Sequence, residues 1–255
     1  MKPRHSKLLA TIEEQHEVKL SRLVKTTGAS EATIRRDLQE LEGAGRIVRT
    51  FGGARVAPSR SLVEQAFSTR TLHMKSQKQA IARAAAELVE PGMMVALDAG
   101  TTAWHVARQL KAKAPLTVIT SALAPLEELG NVPGITLFLV GGRYLPGDLS
   151  FMAADTVESL QRFHADIAFV GFEALNFGRG AFSTSRAGAG VGAAVASCAN
   201  RRVLVGDSQK FEASAPYLIV QPSQIDTVIT DDGVPAAVRK RLVQEPYQVI
   251  YTSYC

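Results

Sequence analysis

Residues 30–41, SEATIRRDLQEL, constrain the fold of this chain more than any other stretch. At the helical step of about 100° per residue, Ile34, Leu38 and Leu41 fall on one narrow stripe, which predicts a helix buried along one side. Ser30 is a typical helix N-cap. The opposite side carries small residues, Gln and Arg, and a helix face of this kind can lie in the major groove of DNA.

The flanking sequence favours DNA binding over an ordinary amphipathic surface helix, which is the alternative reading of residues 30–41 alone. Upstream, LSRLVKTTGAS predicts a shorter helix and a turn at Gly28, the layout of a helix-turn-helix. Residues 4–17 predict a first helix that covers the back of the recognition helix. Downstream, RIVRTFGGAR alternates apolar and basic residues up to a Gly-Gly turn, as a β-wing does, and 18–20 predicts a strand that pairs with it.

This arrangement predicts a double-stranded DNA operator as the partner of the N-terminal region. The side chains expected to contact DNA lie on the open side of the recognition helix and on the wing, whose arginines would bind phosphates. They are Ser30, Ala32, Thr33, Arg35, Arg36, Gln39, Arg46, Arg49 and Arg55.

The charge distribution supports the same interpretation. Residues 1–55 carry 11 Lys and Arg against 7 Asp and Glu, whereas residues 56–255 carry 18 against 17. The basic excess is therefore concentrated where the helix-turn-helix is predicted, and this pattern indicates binding to a polyanion.

The run TIRRDLQELEGAGRIVRTFGGAR resembles the DNA-binding signature of the DeoR family of bacterial transcription repressors. The resemblance extends over residues 4–55. It implies a winged helix-turn-helix domain followed by a sensor domain for a small molecule. Because helix-turn-helix proteins bind two-fold operators, we also expect a homo-oligomer, dimeric or tetrameric.

From Gln77 onward, short apolar runs alternate with helical stretches, which predicts a mainly parallel sheet with crossover helices. We therefore expect an α/β fold, with a winged helix-turn-helix domain at 1–56, a linker at 57–76 and an effector-binding and oligomerisation domain at 77–255. The predicted strands are 95–97, 116–119, 135–140, 167–170, 203–205, 227–229 and 248–251.

Polar or glycine residues follow each predicted strand, where ligands of open parallel sheets bind. The sharpest example is DAGTT at 98–102, in which Gly100 permits a tight turn and the two threonines begin a helix whose N-terminus favours an anion. A structural explanation is also open, because Thr as N-cap and Gly as turn residue need no ligand. Lys210 is likewise compatible with a solvated loop.

The order DAGTT, TVITS, LVGG, ADIAFVG, GDSQKF and ITDDG resembles the effector domain of the DeoR family over residues 77–233. The resemblance implies a sheet like that of ribose-5-phosphate isomerase and glucosamine-6-phosphate deaminase, and a phosphorylated sugar or related metabolite as effector. By position, the ligand site would include Asp98, Gly100, Thr101, Thr102, Thr120, Ser121, Gly141, Gly142, Asp207 and Lys210.

The chain departs from that family pattern at Gly190 and Gly192, where the family usually has a Glu and a Lys that opens a helix. Ala153 stands where a Gly is usual, and Glu173 replaces an Asp. We expect the two glycines to remove a carboxylate and an amine from the ligand site, with the nearby Arg186 as a candidate replacement for the charge. The fold does not depend on these positions.

The sequence therefore predicts a cytoplasmic, metabolite-responsive repressor of a sugar or related carbon catabolism operon, with no catalytic residue, cofactor or metal. The alternatives are a sugar-phosphate isomerase or deaminase fused to a nucleic-acid-binding module, and a regulator whose effector pocket has decayed or been repurposed. An enzyme of that kind needs a positioned general base, and the Ala/Gly run at 187–196 supplies none. The two cysteines and five histidines show no metal-ligand spacing, and no segment has the apolar length of a membrane span.

Overall fold

The computed structural model of the chain describes residues 3–15, 17–43, 47–50, 52–56, 67, 69–211 and 213–254. The chain divides into two compact units, Met1–Gln65 and Ala66–Cys255. The division falls inside the segment that the sequence predicted as a linker, and residues 69–76 of that segment are part of the second unit.

The described residues of the first unit form three helices and a small sheet. Its elements are α1 (Pro3–Gln15), β1 (Glu17–Lys19), α2 (Leu20–Thr27), α3 (Glu31–Gly43), β2 (Ile47–Thr50) and β3 (Gly53–Val56). Gly28 ends α2 with a φ of 71°, a left-handed conformation that favours glycine, and its N–H donates to the carbonyl of Val24. The unit is a helix-turn-helix followed by a wing.

The core of the first unit is the predicted apolar stripe of α3 packed against α1. Ile34, Leu38 and Leu41 are at most 3% exposed. They share one buried cluster with Leu8 and Ile12 of α1. Burial of each such side chain contributes about 1.5–3 kcal/mol, which fixes which side of α3 faces outward.

The wing is an antiparallel sheet in the order β1-β3-β2. The prediction that the strand near Val18 pairs with the wing is confirmed, because Val18 lies opposite Ala54. A Cβ added to Gly53 would lie 2.2 Å from the carbonyl oxygen of Val18, so only glycine permits this close approach of β1 and β3.

The second unit is built on a seven-stranded parallel sheet in the order β15-β14-β12-β9-β4-β5-β6. All seven predicted strands are present in it, so the predicted fold class is confirmed. They are β4 (Met94–Leu97), β5 (Leu116–Thr120), β6 (Ile135–Leu139), β9 (Ala165–Gly171), β12 (Ala199–Val205), β14 (Thr227–Asp231) and β15 (Gln248–Thr252).

Helices cover both faces of this sheet. They are α4 (Lys75–Ala86), α5 (Thr101–Leu110), α6 (Ala124–Leu129), α7 (Ala154–Leu160), α8 (Arg186–Ser197) and α9 (Ala236–Leu242). Side chains alternate along the strands, so that Val95 and Leu97 join the cluster under α4 and α5, whereas Ala96 joins the cluster under α7 and α8. Strands buried on both faces explain the continuous apolar runs in the sequence.

The sequence did not predict two small antiparallel sheets. One is the hairpin of β7 (Tyr144–Leu145) and β8 (Ser150–Phe151), and the other joins β10 (Ala174–Asn176), β11 (Gly180–Ser183) and β13 (Tyr217–Val220). These strands contain two to four residues, too few for a period-2 pattern to be recognised. Among the described residues, no helix is long and apolar enough to cross a membrane.

Candidate functional site

The outward face of α3 carries the predicted DNA-contacting side chains. Ala32, Arg36 and Gln39 are exposed. Ser30 caps the helix, since its Oγ accepts a hydrogen bond from the Thr33 N–H at 3.3 Å and lies 2.8 Å from Thr33 Oγ1. α3 therefore presents small and polar side chains on the side opposite its buried stripe.

Two of the predicted arginines are engaged within the first unit. Arg35 Nη2 lies 2.6 Å from Glu31 Oε1, in an exposed i,i+4 pair. Arg49 binds Glu42 through its backbone N–H at 3.0 Å and its Nε at 2.8 Å, and these bonds hold the pKa of Glu42 below its usual range. Arg49 thus connects the wing to α3 through these hydrogen bonds.

Two further predicted DNA contacts cannot be located by their side chains. Arg46 lies outside the described residues. Arg55 lies in β3, opposite Val48, and its side chain is outside the described part of the chain.

A buried ion-pair cluster fastens α1 to α3. Asp37 is 1% exposed; Arg4 donates to both of its oxygens, and His5 Nε2 lies 3.0 Å from Oδ1. The hydrogen bond from Arg4 holds the pKa of Asp37 below its usual range. His5, Asp37 and Glu40 also have the spacing of a metal-ligand group, which the scattered histidines did not suggest. Because Arg4 occupies both Asp37 oxygens, the cluster acts as a clamp between helices.

The second unit contains a cavity of about 580 Å³ at the carboxyl ends of β4, β9 and β12. This is the edge at which ligands of open parallel sheets bind. Its polar and small lining residues come from residues 98–103 after β4, 171 and 173 after β9, 183–185 and 188 around the start of α8, and 207, 209 and 210 after β12. Residues 69, 70, 73, 78 and 148 complete the polar wall.

Asp98 is the most deeply buried carboxylate of the cavity wall after Asp207. Its Oδ1 accepts from the Ala99 N–H at 2.7 Å and its Oδ2 from the Gly171 N–H at 3.0 Å. Burial raises the pKa of Asp98 to about 7, because these two hydrogen bonds only partly offset the loss of water. Asp98 can therefore exchange a proton near neutral pH.

Two helix N-termini reach the cavity. Gly100 precedes α5 with a φ of 120°, and Thr101 and Thr102 of the first turn line the wall. Ser185 caps α8 by accepting from the Gly188 N–H, and both residues line the wall. The positive ends of two helix dipoles favour an anion in the cavity.

The two lysines of the cavity wall come from different elements. Lys78 of α4 is 4% exposed, and burial lowers its pKa to about 8 although Asp207 partly offsets this effect. Lys210 lies in a short 3-10 helix after β12. Asp231 positions that segment by accepting hydrogen bonds from the N–H groups of Ser208 and Gly233.

The structure brings six of the ten predicted effector residues to this cavity, and they are Asp98, Gly100, Thr101, Thr102, Asp207 and Lys210. It does not bring Thr120, Ser121, Gly141 and Gly142 there. Thr120 and Ser121 lie at the end of β5, and the two glycines follow β6. These strands lie one and two positions beyond β4, and adjacent strands are about 4.8 Å apart. Thr120 is instead fully buried and accepts a hydrogen bond from the Ala122 N–H.

The glycines of α8 have different surroundings from those expected. Gly190 is exposed and faces Val157, so a carboxylate at this position would not enter the cavity. A Cβ on Gly192 would lie 3.7 Å from Asp98 Oδ2 and 3.0 Å from Ile219 Cγ2. Of the two charges that we expected to be missing from the ligand site, only the amine at position 192 would therefore lie near Asp98. Arg186 is exposed and does not line the cavity, so it is not the replacement that we expected.

Several lining residues were not predicted from the sequence as site residues. The most important are Arg70, His73, Lys78, Asp148 and Glu173. Lys78 carried a detectable signal, because a lysine on the buried side of a helix is unusual unless it is paired with another group. Arg70 and Asp148 lie in short helical segments, and His73 and Glu173 lie in a turn and a bend, where no periodicity marks the direction of a side chain.

Comparison with known proteins gives the same division of the chain. Residues 4–60 match the model described as DeoR-like helix-turn-helix domain, and residues 73–232 match the DeoR C terminal sensor domain. A protein of Escherichia coli O157:H7, named as an aga operon transcriptional repressor, is 31% identical over 97% of this chain and 92% of its own length. Transcriptional repressor AccR of Agrobacterium fabrum is 30% identical over 94% of this chain and 96% of its own length.

Among solved structures, ribose 5-phosphate isomerase A from Methanocaldococcus jannaschii covers 54% of this chain and 55% of its own. The sequence identity is 19% and the TM-score is 0.41. A similarity at this level does not establish a shared activity.

Proposed function

The chain belongs to the DeoR family of transcriptional regulators, and we propose that it represses a sugar or related carbon catabolism operon from the cytoplasm. A phosphorylated sugar or related metabolite binds the cavity of the second unit and releases the protein from its operator. The family consists of regulators, so the isomerase or deaminase alternative is not supported.

The DNA-binding part of the proposal rests on α3. Its exposed Ala32 allows close approach to the groove, and the exposed Arg36 and Gln39 have the donors and acceptors that read base edges. Full-length protein mixed at low salt with duplexes from its own promoter region should retard at least one of them. If every such duplex migrates freely, the regulator proposal fails.

The single observation that supports a phosphorylated effector is the collection of positive charge in one cavity. Lys78 and Lys210 line it together with the N-termini of α5 and α8. A phosphate can bind these groups through charge-assisted hydrogen bonds. Asp98, Asp207 and Ser183 remain available for the hydroxyl groups of a sugar.

Thermal unfolding tests this part of the proposal. We compare a panel of pentose and hexose phosphates with the corresponding free sugars, using wild type, Lys210→Gln and the exposed control Lys240→Gln. At about 100 times its Kd, a true ligand adds about 2.7 kcal/mol of stability. We expect a shift with at least one phosphate in wild type and Lys240→Gln, and a reduced shift in Lys210→Gln.

The same experiment tests the alternative of a decayed or repurposed pocket. That alternative has a structural basis in Gly192, which leaves Asp98 without a neighbouring amine from α8. No shift with any phosphorylated sugar, or equal shifts with the free sugars, would contradict a phosphorylated effector.

The proposed partner set includes a second copy of the chain. A helix-turn-helix that reads a two-fold operator needs two recognition helices about one DNA turn apart. Light scattering of the purified protein should therefore give the mass of a dimer or tetramer. A monomer at the concentration that binds DNA would contradict this part of the proposal.

A further inference from the structure

The segment that begins the second unit also forms part of the cavity wall. The second unit starts at Ala66, and the described residues next in sequence are Phe67 and 69–74, which we call the strap. Thr69, Arg70 and His73 of the strap line the cavity. A ligand in the cavity can therefore touch the chain a few residues after the end of the helix-turn-helix unit.

Three polar contacts of the strap use groups of the cavity itself. Arg70 Nη2 donates to Asp148 Oδ1 at 3.0 Å, and Lys78 Nζ donates to the carbonyl oxygen of Arg70 at 2.5 Å. His73 Nε2 lies 2.8 Å from Gln209 Oε1. Asp148, Lys78 and Gln209 line the cavity, whereas Gly147, whose carbonyl oxygen accepts from Arg70 Nη2 at 2.8 Å, does not. A ligand in the cavity therefore competes for three of these four contacts.

The strap has an apolar contact that does not belong to the cavity. Phe67 is 8% exposed and packs edge-on against Trp104, with ring centroids 6.3 Å apart. Neither its side chain nor its backbone is among the lining residues. Trp104 is the only tryptophan of the chain, so its fluorescence is sensitive to a change in this contact.

We propose that the strap is the element through which the cavity controls DNA binding, and this inference rests on the proposed function. An anion in the cavity draws the guanidinium of Arg70 from Asp148 and the ammonium of Lys78 from the Arg70 carbonyl. For Lys78 this exchange is favourable, because its buried ammonium gains a charged acceptor in place of a neutral carbonyl. The strap then adopts a different position in the occupied cavity.

The consequence for DNA follows from the connectivity of the chain. The strap lies at the start of the second unit and is continuous in sequence with the unit that carries α3. We therefore expect a change in the position of the strap to alter DNA binding by that unit. A coupling of this kind changes an affinity by about 5- to 150-fold. The cavity needs no contact with the helix-turn-helix unit for this effect.

The first experiment titrates the full-length protein with inorganic phosphate, against chloride at equal ionic strength. Two signals are followed, the melting temperature and the emission of Trp104. We expect both to change with the same midpoint in phosphate and neither to change in chloride. A rise in melting temperature without a change in Trp104 emission would contradict the role proposed for the strap but would leave the proposed anion site supported. No rise in melting temperature overturns both.

The second experiment removes the apolar contact. Phe67→Ala leaves the cavity wall unchanged, and the matched control Phe138→Ala truncates a phenylalanine that is 44% exposed on β6. Phe67→Ala should keep the phosphate-induced rise in melting temperature. The change in DNA affinity that phosphate causes should be at least fivefold smaller than in wild type. Phe138→Ala should respond as wild type does. A Phe67→Ala protein whose DNA affinity responds to phosphate as in wild type would rule out the strap.

Discussion

The helix-turn-helix unit and the cavity of the second unit are built in opposite ways. In the first unit one helix, α3, supplies both the buried stripe and the exposed face, and residues 30–39 hold most of the proposed DNA contacts. The cavity takes its polar groups from segments between residues 69 and 210. A surface on one helix tolerates changes to single side chains, whereas a cavity made by many segments depends on the whole fold.

The largest effect should come from a core substitution that unfolds one unit and leaves the other folded. Ile34→Ala removes a fully buried side chain from the core of the first unit and should cost about 2–5 kcal/mol. We expect loss of DNA binding with retention of the phosphate-induced stabilisation of the second unit. Phe169→Ala, in the middle of the sheet, is the reciprocal variant and should abolish the cavity response. Loss of both functions in Ile34→Ala would contradict the expectation that the second unit stays folded when the first does not.

The free energy of unfolding of the second unit should depend on pH through Asp98, a buried carboxylate of the cavity wall. Since the folded-state pKa of Asp98 is raised to about 7, the stability it contributes is fully present below about pH 4 and is lost as the pH rises to about 7. The slope should approach about 1.4 kcal/mol per pH unit in that window. Chemical denaturation of wild type and Asp98→Asn across this range measures it. An identical slope in Asp98→Asn would exclude Asp98 as the source.

Substitutions in α3 and in the wing should distinguish side chains that recognise bases from side chains that bind phosphates. Arg36→Ala should weaken specific DNA by about 1–3 kcal/mol and random DNA less. Arg49→Ala should weaken both alike, with an added loss of wing stability because Arg49 binds Glu42. Fluorescence anisotropy with operator-region and random duplexes distinguishes them. Equal losses on both duplexes for Arg36→Ala would remove it from base recognition.

The smallest effect concerns the charge of Lys78. Its pKa is lowered to about 8, so above that pH it is increasingly neutral and cannot attract an anion. The affinity for phosphate should therefore fall by up to about tenfold per pH unit above about 8. Calorimetric titration from pH 7 to alkaline pH measures this dependence. An affinity that stays constant through this range would exclude Lys78 from the anion site.

How far the sequence predicted these features depends on how local they are. The stripe of Ile34, Leu38 and Leu41 was predictable because a helix repeats every 3.6 residues. The seven strands were predictable because both faces of the sheet are buried and their apolar runs are continuous.

The composition of the cavity was predictable only in part. Asp98 and Lys210 lie at strand exits, a rule that the sequence can supply. The same rule also selected Gly141, which does not line the cavity, because the order of the strands, which separates β6 from β4, is a long-range property of the fold. Arg70 and Asp148 meet across 78 residues, and no local pattern indicates that contact.

The central claim is that occupancy of the cavity in the second unit controls the affinity of α3 for DNA. The most direct test measures the Kd of the full-length protein for an operator-region duplex with and without the sugar phosphate that stabilises it most. The account predicts that this ligand weakens DNA binding at least fivefold in wild type and in Lys240→Gln, and much less in Lys210→Gln. A ligand that stabilises the protein and leaves the Kd for DNA unchanged would contradict it.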